Sequence, residues 1–242
     1  MIAYDVVAKV YDLFLDEFDY LNYSKYIKKT IKDNNLCGVV VDAGCGTGTM
    51  LKHLNDLTND LVGVDISSEM LSISQRKNLK ALLVQQDITK LSLLGNISLV
   101  YSSLDVLNHL SSLTEVKKYF SGVSSILDAN GIFIFDFNLP YKHENILANN
   151  CFTYEKYKYL LIWNSFLYKD KVKICLDLFT KQSNGLYLRE SEEFFEYTYS
   201  LEEILKLLEN DFELIEVIDG DSFKSLSDSS QRALVSVRKK QV

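Results

Sequence analysis

The sequence predicts an α/β fold built on a mostly parallel β-sheet with helices on both faces. The first observation is a β-branched run, residues 39–41, that ends in Asp42 and is followed by closely spaced glycines and a helix-like segment. Continuous Val/Ile runs are typical of buried parallel strands. The second is that further short apolar runs alternate with helical patterns up to residue 138. The third is the length of 242 residues, which suits one large domain, or one domain with an insertion.

Composition and charge argue against several classes of protein. The chain is 47% hydrophobic and 24% charged, which is ordinary for a globular protein, and its formal net charge of −7 argues against a nucleic-acid partner. The four cysteines form no C-x-x-C pair, which predicts a reduced, intracellular protein without structural zinc. We find no signal-peptide pattern and no apolar run long enough to cross a membrane, so we expect a cytoplasmic protein without a membrane partner.

The glycine-rich turn after the first strand indicates which cofactor the sheet binds. Glycines at this point let the backbone approach a ligand, and the helix that follows offers free N–H groups. A dinucleotide fingerprint needs a sixth-position glycine, but counting from Gly44 that position is Thr49. A phosphate-binding P-loop needs a lysine, and none follows Gly48. The remaining pattern is Val-Asp-x-Gly-x-Gly-x-Gly, over residues 41–48.

Acidic residues end the next two predicted strands. Asp65 lies about 20 residues beyond the glycines, where one carboxylate can accept hydrogen bonds from two ribose hydroxyls. Its alternative role is to cap the following helix. The third strand, residues 81–86, leads into Asp87 and Ile88, which could contact an adenine ring. The alternative for Asp87 is an ordinary turn residue.

With these acidic residues, the glycine pattern resembles the first motif of the class I S-adenosylmethionine-dependent methyltransferases. The pattern Tyr-Asp-x-x-Ala-x-x-Tyr-Asp at residues 4–12 resembles the amino-terminal segment of small bacterial members, including enzymes that methylate amino sugars on nucleotide carriers. The resemblance implies a Rossmann-like seven-stranded sheet of order 3-2-1-4-5-7-6 with the last strand antiparallel. It also implies S-adenosylmethionine as cofactor, S-adenosylhomocysteine as product, and no metal.

The resemblance further implies methyl transfer to an amine or hydroxyl of a small molecule by a monomer or homodimer. A non-catalytic cofactor-binding or scaffold protein of the same fold is the alternative. A third possibility, an NAD-linked oxidoreductase, is disfavoured by Thr49.

The predicted core comprises residues 1–138 and 200–242, with a helical cover over residues 1–34. Between the two core segments, residues 139–199 change to a period-two pattern, with apolar residues alternating over 172–178 and a turn signal at 183–185. We predict three antiparallel strands there, and the resemblance implies that they form a lid over the acceptor pocket.

Two residues are candidates for catalysis. In the relatives the amino-terminal tyrosines approach the sulfonium, and aromatic rings suit a cation, so Tyr4 is one candidate. His109, after the fourth strand, is the other, as a general base or an acceptor-orienting group. Its alternative role is a helix-start histidine that only makes a hydrogen bond. We predict cofactor contacts at Tyr4, Tyr11, Asp42, Ala43, Gly44, Gly46, Gly48, Asp65, Ile66, Met70, Gln86, Asp87, Ile88 and Ser102, and acceptor contacts at Asn108, His109, Trp163, Tyr187 and Arg189.

Overall fold

The computed structural model describes residues 3–14 and 18–241 of the chain. In chain order the helices are α1 (Tyr11–Phe14), α2 (Tyr20–Asp33), α3 (Thr49–His53), α4 (Ser68–Gln75), α5 (Leu113–Ile126) and α6 (Leu201–Leu208). The strands are β1 (Val39–Ala43), β2 (Leu61–Asp65), β3 (Ala81–Gln85), β4 (Ile97–Ser102), β5 (Leu127–Asn138), β6 (Cys151–Lys156), β7 (Tyr159–Leu167), β8 (Lys171–Lys181), β9 (Tyr187–Tyr197), β10 (Phe212–Asp219) and β11 (Arg232–Lys239). Short 3₁₀ turns occur at Ala8–Val10, Ile88–Lys90 and Val106–His109, and a π-helical turn at Lys142–Leu147.

Seven of these strands form the main sheet, in the order β10-β11-β5-β4-β1-β2-β3. Counted within this sheet alone and read from the β3 edge, the order is 3-2-1-4-5-7-6. Strands β1 to β5 pair in parallel, and β11 is antiparallel to both of its neighbours. The predicted fold class, a mostly parallel α/β sheet, is confirmed.

Alternate residues of the strands face two separate apolar cores, because side chains of a strand point to opposite faces. On β1, Val41 joins the core that contains residues of α5 and α6, whereas Val40 joins the core that contains residues of α2 and α3. The main sheet therefore carries helices on both faces, and its strands end together at one edge. None of the helices in the described residues is long and apolar enough to cross a membrane.

Helix α2 shows how the sequence fixes one of these packed elements. Asp19 caps its first turn by accepting a hydrogen bond from the backbone N–H of Asn22. Tyr23, Ile27 and Ile31 follow at four-residue spacing and are all buried in the second core.

A second sheet lies in the chain between β5 and α6, with the antiparallel order β6-β7-β8-β9. The prediction of three strands there is wrong in number, because β6 is a fourth. This strand lies at the edge of the sheet and alternates only between exposed and half-buried residues, so it lacks the apolar face that marks β8. The apolar face of β8 contributes to a third core, together with Val7 and Val10 of the amino-terminal segment.

Candidate active site

A cavity of about 510 Å³ lies at the carboxyl ends of the parallel strands, beneath the amino-terminal segment. This volume falls in the range of roughly 300 to 1,000 Å³ that is usual for small-molecule sites. The glycine turn after β1, the ends of β2 and β3, and the loop after β4 form much of its wall. Of the predicted site residues, those that line the cavity are Tyr4, Tyr11, Gly44, Gly46, Asp65, Ile66, Met70, Asp87, Ile88 and His109.

The glycine turn keeps one side of the cavity open. Gly44 has φ +89°, and a Cβ there would lie 2.4 Å from a methyl carbon of Val106, so packing requires a glycine. At Gly46, with φ +50°, a Cβ would meet no atom within 4 Å, so this backbone faces free space. Gly48 does not line the cavity; it caps α3, and a Cβ there would lie 2.2 Å from the Ser74 hydroxyl oxygen. The structure shows a packing role for Gly48, and its predicted cofactor contact stays a prediction.

Asp65 joins the glycine turn to the end of β2. One carboxylate oxygen accepts the N–H of Gly46 at 2.7 Å, and the other accepts the N–H of Ser67 at 2.9 Å. Burial raises the pKa of the Asp65 carboxyl, and the backbone N–H groups oppose that shift. Ser67, rather than Asp65, caps α4, because its hydroxyl accepts the N–H of Met70. The carboxylate is thus fixed at the cavity wall and is not used as a helix cap.

Asp87 and Ile88 line the cavity at the end of β3. Asp87 also accepts hydrogen bonds from the backbone N–H and the hydroxyl of Thr89, so it closes a short turn as well. These hydrogen bonds help to hold the pKa of Asp87 below its usual value, although its partial burial acts in the opposite direction.

Four other predicted cofactor contacts do not reach the cavity. Asp42 and Ala43 are buried within β1, and the Ser102 hydroxyl donates to the carbonyl of Ala43 at 2.6 Å. Gln86 instead accepts the N–H of Ser92 at 3.1 Å. These residues make hydrogen bonds or are buried within the sheet and the loop after β3, and their predicted cofactor contacts stay predictions.

Asp42 lacks the hydrogen bonds that a buried carboxylate normally makes. Among the described residues neither of its oxygens has a hydrogen-bond partner, nor does the hydroxyl of Tyr101, its register partner on β4. Burial raises the pKa of Asp42 to about 8, and the nearby Tyr101 hydroxyl offsets only part of this shift.

The amino-terminal tyrosines form one wall of the cavity. The ring of Tyr4 packs edge-on against Tyr11, His109 and Phe194, with centroid distances of 5.3, 5.4 and 4.6 Å. Tyr4 has φ +68°, a conformation rarely adopted by residues with a side chain. Burial raises the pKa of both tyrosines, so their phenols stay protonated at neutral pH. Tyr20, which the sequence analysis did not select, also lines the cavity.

Polar contacts fasten the amino-terminal segment over the cavity. Asp12 accepts hydrogen bonds from the hydroxyls of Thr47 and Thr49 at 2.5 and 2.8 Å and pairs with the Lys77 ammonium at 2.5 Å. On the other side, the N–H of Val6 donates to Glu192 of β9 at 3.2 Å. The segment is therefore tied both to the glycine turn and to the second sheet.

The loop after β4 carries His109 to the cavity in a strained conformation. Leu104 and Asp105 are consecutive residues with positive φ, at +65° and +54°. The buried carboxylate of Asp136 accepts both of their N–H groups, at 2.9 and 2.7 Å, and pairs with Arg232 at 2.7 Å. Strained backbone that surrounding contacts hold in place is common at functional sites.

His109 lies beside two carboxylates that the sequence analysis did not connect with it. Possible ligand atoms of Asp105, His109 and Glu196 all lie within 4.8 Å of one another. Burial alone would raise the pKa of Asp105, but the charges of Arg232 and Lys142 help to lower it to about 2. Glu196 comes from β9, so no local spacing in the sequence could reveal the group.

Of the residues with predicted acceptor contacts, His109 lies in the cavity wall, and the contacts at the others stay predictions. Asn108 is fully buried, and its amide binds the carbonyls of Asn138 and Tyr197, so it joins the β4 loop to β5 and β9. Tyr187 is 52% exposed near the tip of the β8–β9 hairpin. The cavity-lining residues of β9 are instead Phe194, Phe195 and Tyr197.

Arg189 and Trp163 also lie outside this cavity wall. Arg189 is an exposed residue of β9 and pairs with Asp177 across the hairpin at 2.8 Å. Trp163, on β7, packs edge-on against Phe152 of β6, with a centroid distance of 5.9 Å. Both side chains make these contacts within the second sheet, and their predicted acceptor contacts stay predictions.

Comparisons with known proteins agree with this arrangement. Residues 40–131 match the family described as a methyltransferase domain. The crystal structure of an S-adenosylmethionine-dependent methyltransferase from Clostridium acetobutylicum ATCC 824 is 31% identical, with a TM-score of 0.87 over 98% of this chain and 99% of that one. A protein of Geobacillus sp. (strain WCH70), named a methyltransferase by inference, is 27% identical over 98% of this chain and 100% of its own.

A sugar N-methyltransferase, KedS8 from Streptoalloteichus sp ATCC 53650, shares the fold. Its TM-score is 0.78 at 18% identity, over 96% of this chain and 93% of that one. Taken with the near full-length match to the Clostridium structure, these findings show that the chain belongs to the S-adenosylmethionine-dependent methyltransferases.

The residues around the cavity fit this cofactor. The free space in front of Gly46 lets a ligand approach the backbone. The Asp65 carboxylate beside it can accept hydrogen bonds from hydroxyl groups. The rings of Tyr4 and Tyr11 provide electron-rich faces for a sulfonium cation.

Proposed function

We propose that this chain transfers the methyl group of S-adenosylmethionine to an amine or hydroxyl of a small molecule in the cavity described above. The observation that supports this is the joining of glycine turn, carboxylate, aromatic wall and His109 in one space of about 510 Å³. The similar fold of a protein named as a sugar N-methyltransferase also favours a small acceptor. When bound, the cofactor supplies an activated methyl group, so the protein's task is to position the reactants and exclude water.

In this proposal, the glycine turn and the ends of β2 and β3 hold the adenosine half of the cofactor. Gly46 allows close approach of the backbone, Asp65 accepts the ribose hydroxyls, and Asp87 with Ile88 flanks the adenine. The tyrosine wall then lies at the sulfonium end.

We also propose that residues 139–199 form a lid and that the amino-terminal segment closes the remaining side. Val6 and Glu192 link these two parts, and Asp12 links the segment to the glycine turn. Closure would exclude water and bring Tyr4 and His109 to the acceptor.

Titration calorimetry with S-adenosylmethionine and S-adenosylhomocysteine tests the cofactor half of the proposal. We expect both to bind and Asp65→Asn to weaken binding at least about tenfold, or about 1.4 kcal/mol. Asp60→Asn is the matched control, because this exposed carboxyl lies just before the same strand. An absence of binding heat with either compound, or equal affinity of Asp65→Asn and wild type, would contradict the assignment.

Transfer of a radiolabelled methyl group to a panel of small amines and alcohols tests the acceptor half of the proposal. Tight cofactor binding with transfer to no member of the panel would contradict it.

A further inference from the structure

We propose that Asp105, His109 and Glu196 form a cation-binding subsite that receives the nitrogen of an amine acceptor, so that the chain methylates nitrogen rather than oxygen. The inference rests on the proposed function, methyl transfer within the same cavity. It assigns the acceptor chemistry that the proposed function leaves open.

The position of the subsite connects it to the cavity. His109 and Tyr197 line the cavity, and the Asp105 and Glu196 carboxylates lie next to His109, with ligand atoms within 4.8 Å. Tyr4 packs over the His109 ring, so this group lies beside the aromatic wall. A cation here would meet carboxylates and aromatic faces together.

Glu196 supplies a buried negative charge, which the Lys142 ammonium partly offsets without forming an ion pair. It is only 1% exposed, and its Oε2 accepts a hydrogen bond from the amide of Asn138 at 3.1 Å and lies 3.3 Å from Nε2 of His143. Its other oxygen, Oε1, has no hydrogen bond from the residues that the structure describes. Within that part of the chain, no lysine or arginine pairs with Glu196, whereas Arg232 pairs with Asp105 at 3.0 Å. A buried carboxylate with a free acceptor oxygen favours a positively charged partner.

The surrounding network keeps the Asp105 carboxylate ionised. Arg232 and Lys142 help to hold its pKa near 2 despite burial, while Asp136 fixes the strained backbone that carries it. The subsite therefore keeps this negative charge near neutral pH.

This charge distinguishes the two acceptor chemistries. An amine that enters as an ammonium ion gives one proton to the Glu196 carboxylate or the His109 imidazole. Its lone pair then forms the N–C bond while the C–S bond breaks, and the electron pair of that bond stays on sulfur. Positive charge develops on nitrogen, which nearby carboxylates stabilise. A hydroxyl enters without charge, gives its proton to the same base as its oxygen attacks, and leaves as a neutral ether, so the carboxylates have no positive charge on the acceptor to stabilise.

Sinefungin provides a probe that needs no knowledge of the acceptor, because it has a protonated amine where the cofactor has its transferable methyl group. We expect wild type to bind sinefungin about tenfold more tightly than S-adenosylhomocysteine, the neutral thioether. In Glu196→Gln and Asp105→Asn we expect this ratio of dissociation constants to fall to about one, because the ammonium loses a charged partner.

Glu193→Gln is the matched control. It removes a carboxylate of the same strand that is exposed and pairs with Lys173, so the ratio should stay at the wild-type value. Unchanged affinity for S-adenosylhomocysteine shows that a variant is folded. If Glu196→Gln does not fold, the ratio measured for Asp105→Asn tests the subsite instead. If neither variant folds, the wild-type ratio alone is the test. A wild-type ratio of one, or an equal ratio in all folded variants, would overturn the subsite.

Two further measurements distinguish other outcomes. Titration with Mn²⁺ shows whether the three residues hold a metal instead. The proposal is overturned if Mn²⁺ binds, if Glu196→Gln abolishes that binding, and if wild type binds sinefungin and S-adenosylhomocysteine equally well. Methyl transfer to matched pairs, such as benzylamine and benzyl alcohol, should favour the amine, and transfer to the alcohol alone overturns it. Failure of S-adenosylhomocysteine to bind at all would instead defeat the proposed function.

Discussion

Replacing Asp42 by asparagine should change how the stability of the protein depends on pH. The carboxyl is 1% exposed, has no hydrogen-bond partner among the described residues, and has its pKa raised from 3.8 to about 8. Between these values the folded protein holds one proton at Asp42 that the unfolded chain has released. The unfolding free energy therefore decreases as pH rises through this window, because the folded state binds the extra proton.

The size of the effect follows from the shift. Each pH unit between about 4 and 8 removes about 1.4 kcal/mol of unfolding free energy through this group, and the full window corresponds to roughly 6 kcal/mol. Asparagine does not titrate, so Asp42→Asn should lack this slope. The slope is a better readout than stability at one pH, because the buried amide has its own desolvation cost.

Urea unfolding of wild type and Asp42→Asn at about pH 5, 6, 7 and 8 measures the two slopes. We expect the difference in unfolding free energy, variant minus wild type, to increase steadily across the series. Asp60→Asn, an exposed carboxyl, should track wild type. Parallel curves for wild type and Asp42→Asn would refute the claim that Asp42 is buried without adequate hydrogen bonding.

Three other substitutions test the cavity and its cover. Gly46→Ala should lower the unfolding free energy by only about 1 kcal/mol, since its Cβ meets free space, yet weaken S-adenosylhomocysteine binding at least about tenfold in calorimetry. Gly44→Ala should cost about 3 kcal/mol in urea unfolding because its Cβ collides with Val106, and a cost below that of Gly46→Ala would contradict the packing. Asp12→Ala should speed proteolysis within the amino-terminal segment about tenfold, because it removes three polar contacts. Lys77→Met, which keeps the two hydroxyl contacts, should have a smaller effect, and equal rates in all three proteins would contradict the fastening role.

Local sequence signals were enough to predict the sheet and the wall of the cavity that the ends of its parallel strands form. Residues 41–48 follow one strand directly, and Asp65 and Asp87 each follow another, so the parallel topology brings them to one edge. Predicting such an edge requires no knowledge of how residues far apart in the chain pair in a sheet. The same signals could not tell which neighbours face the ligand, so Asp42 and Ser102 were selected although they lie beneath the surface.

The proposed acceptor side of the cavity depends on strand pairing over long distances in the chain. Tyr187 and Arg189 have side chains of a type that can bind a small molecule. The register of β8 with β9, however, pairs Tyr187 with Lys181 and Arg189 with Phe179, near the hairpin tip. The same register brings Glu196, at the other end of that strand, next to His109, which lines the cavity. The closely spaced aromatic residues at positions 194, 195 and 197 were a signal that could have directed attention there.

The shared core of the amino-terminal segment and the second sheet has a practical consequence. Val7 and Val10 belong to the same apolar core as Ile174 and Leu178 of β8, which are fully buried. Shortening the chain to begin at Asp19 would uncover an apolar strip along a long strand, and such strips promote self-association. An affinity tag is therefore better attached after β11 than placed before Tyr4.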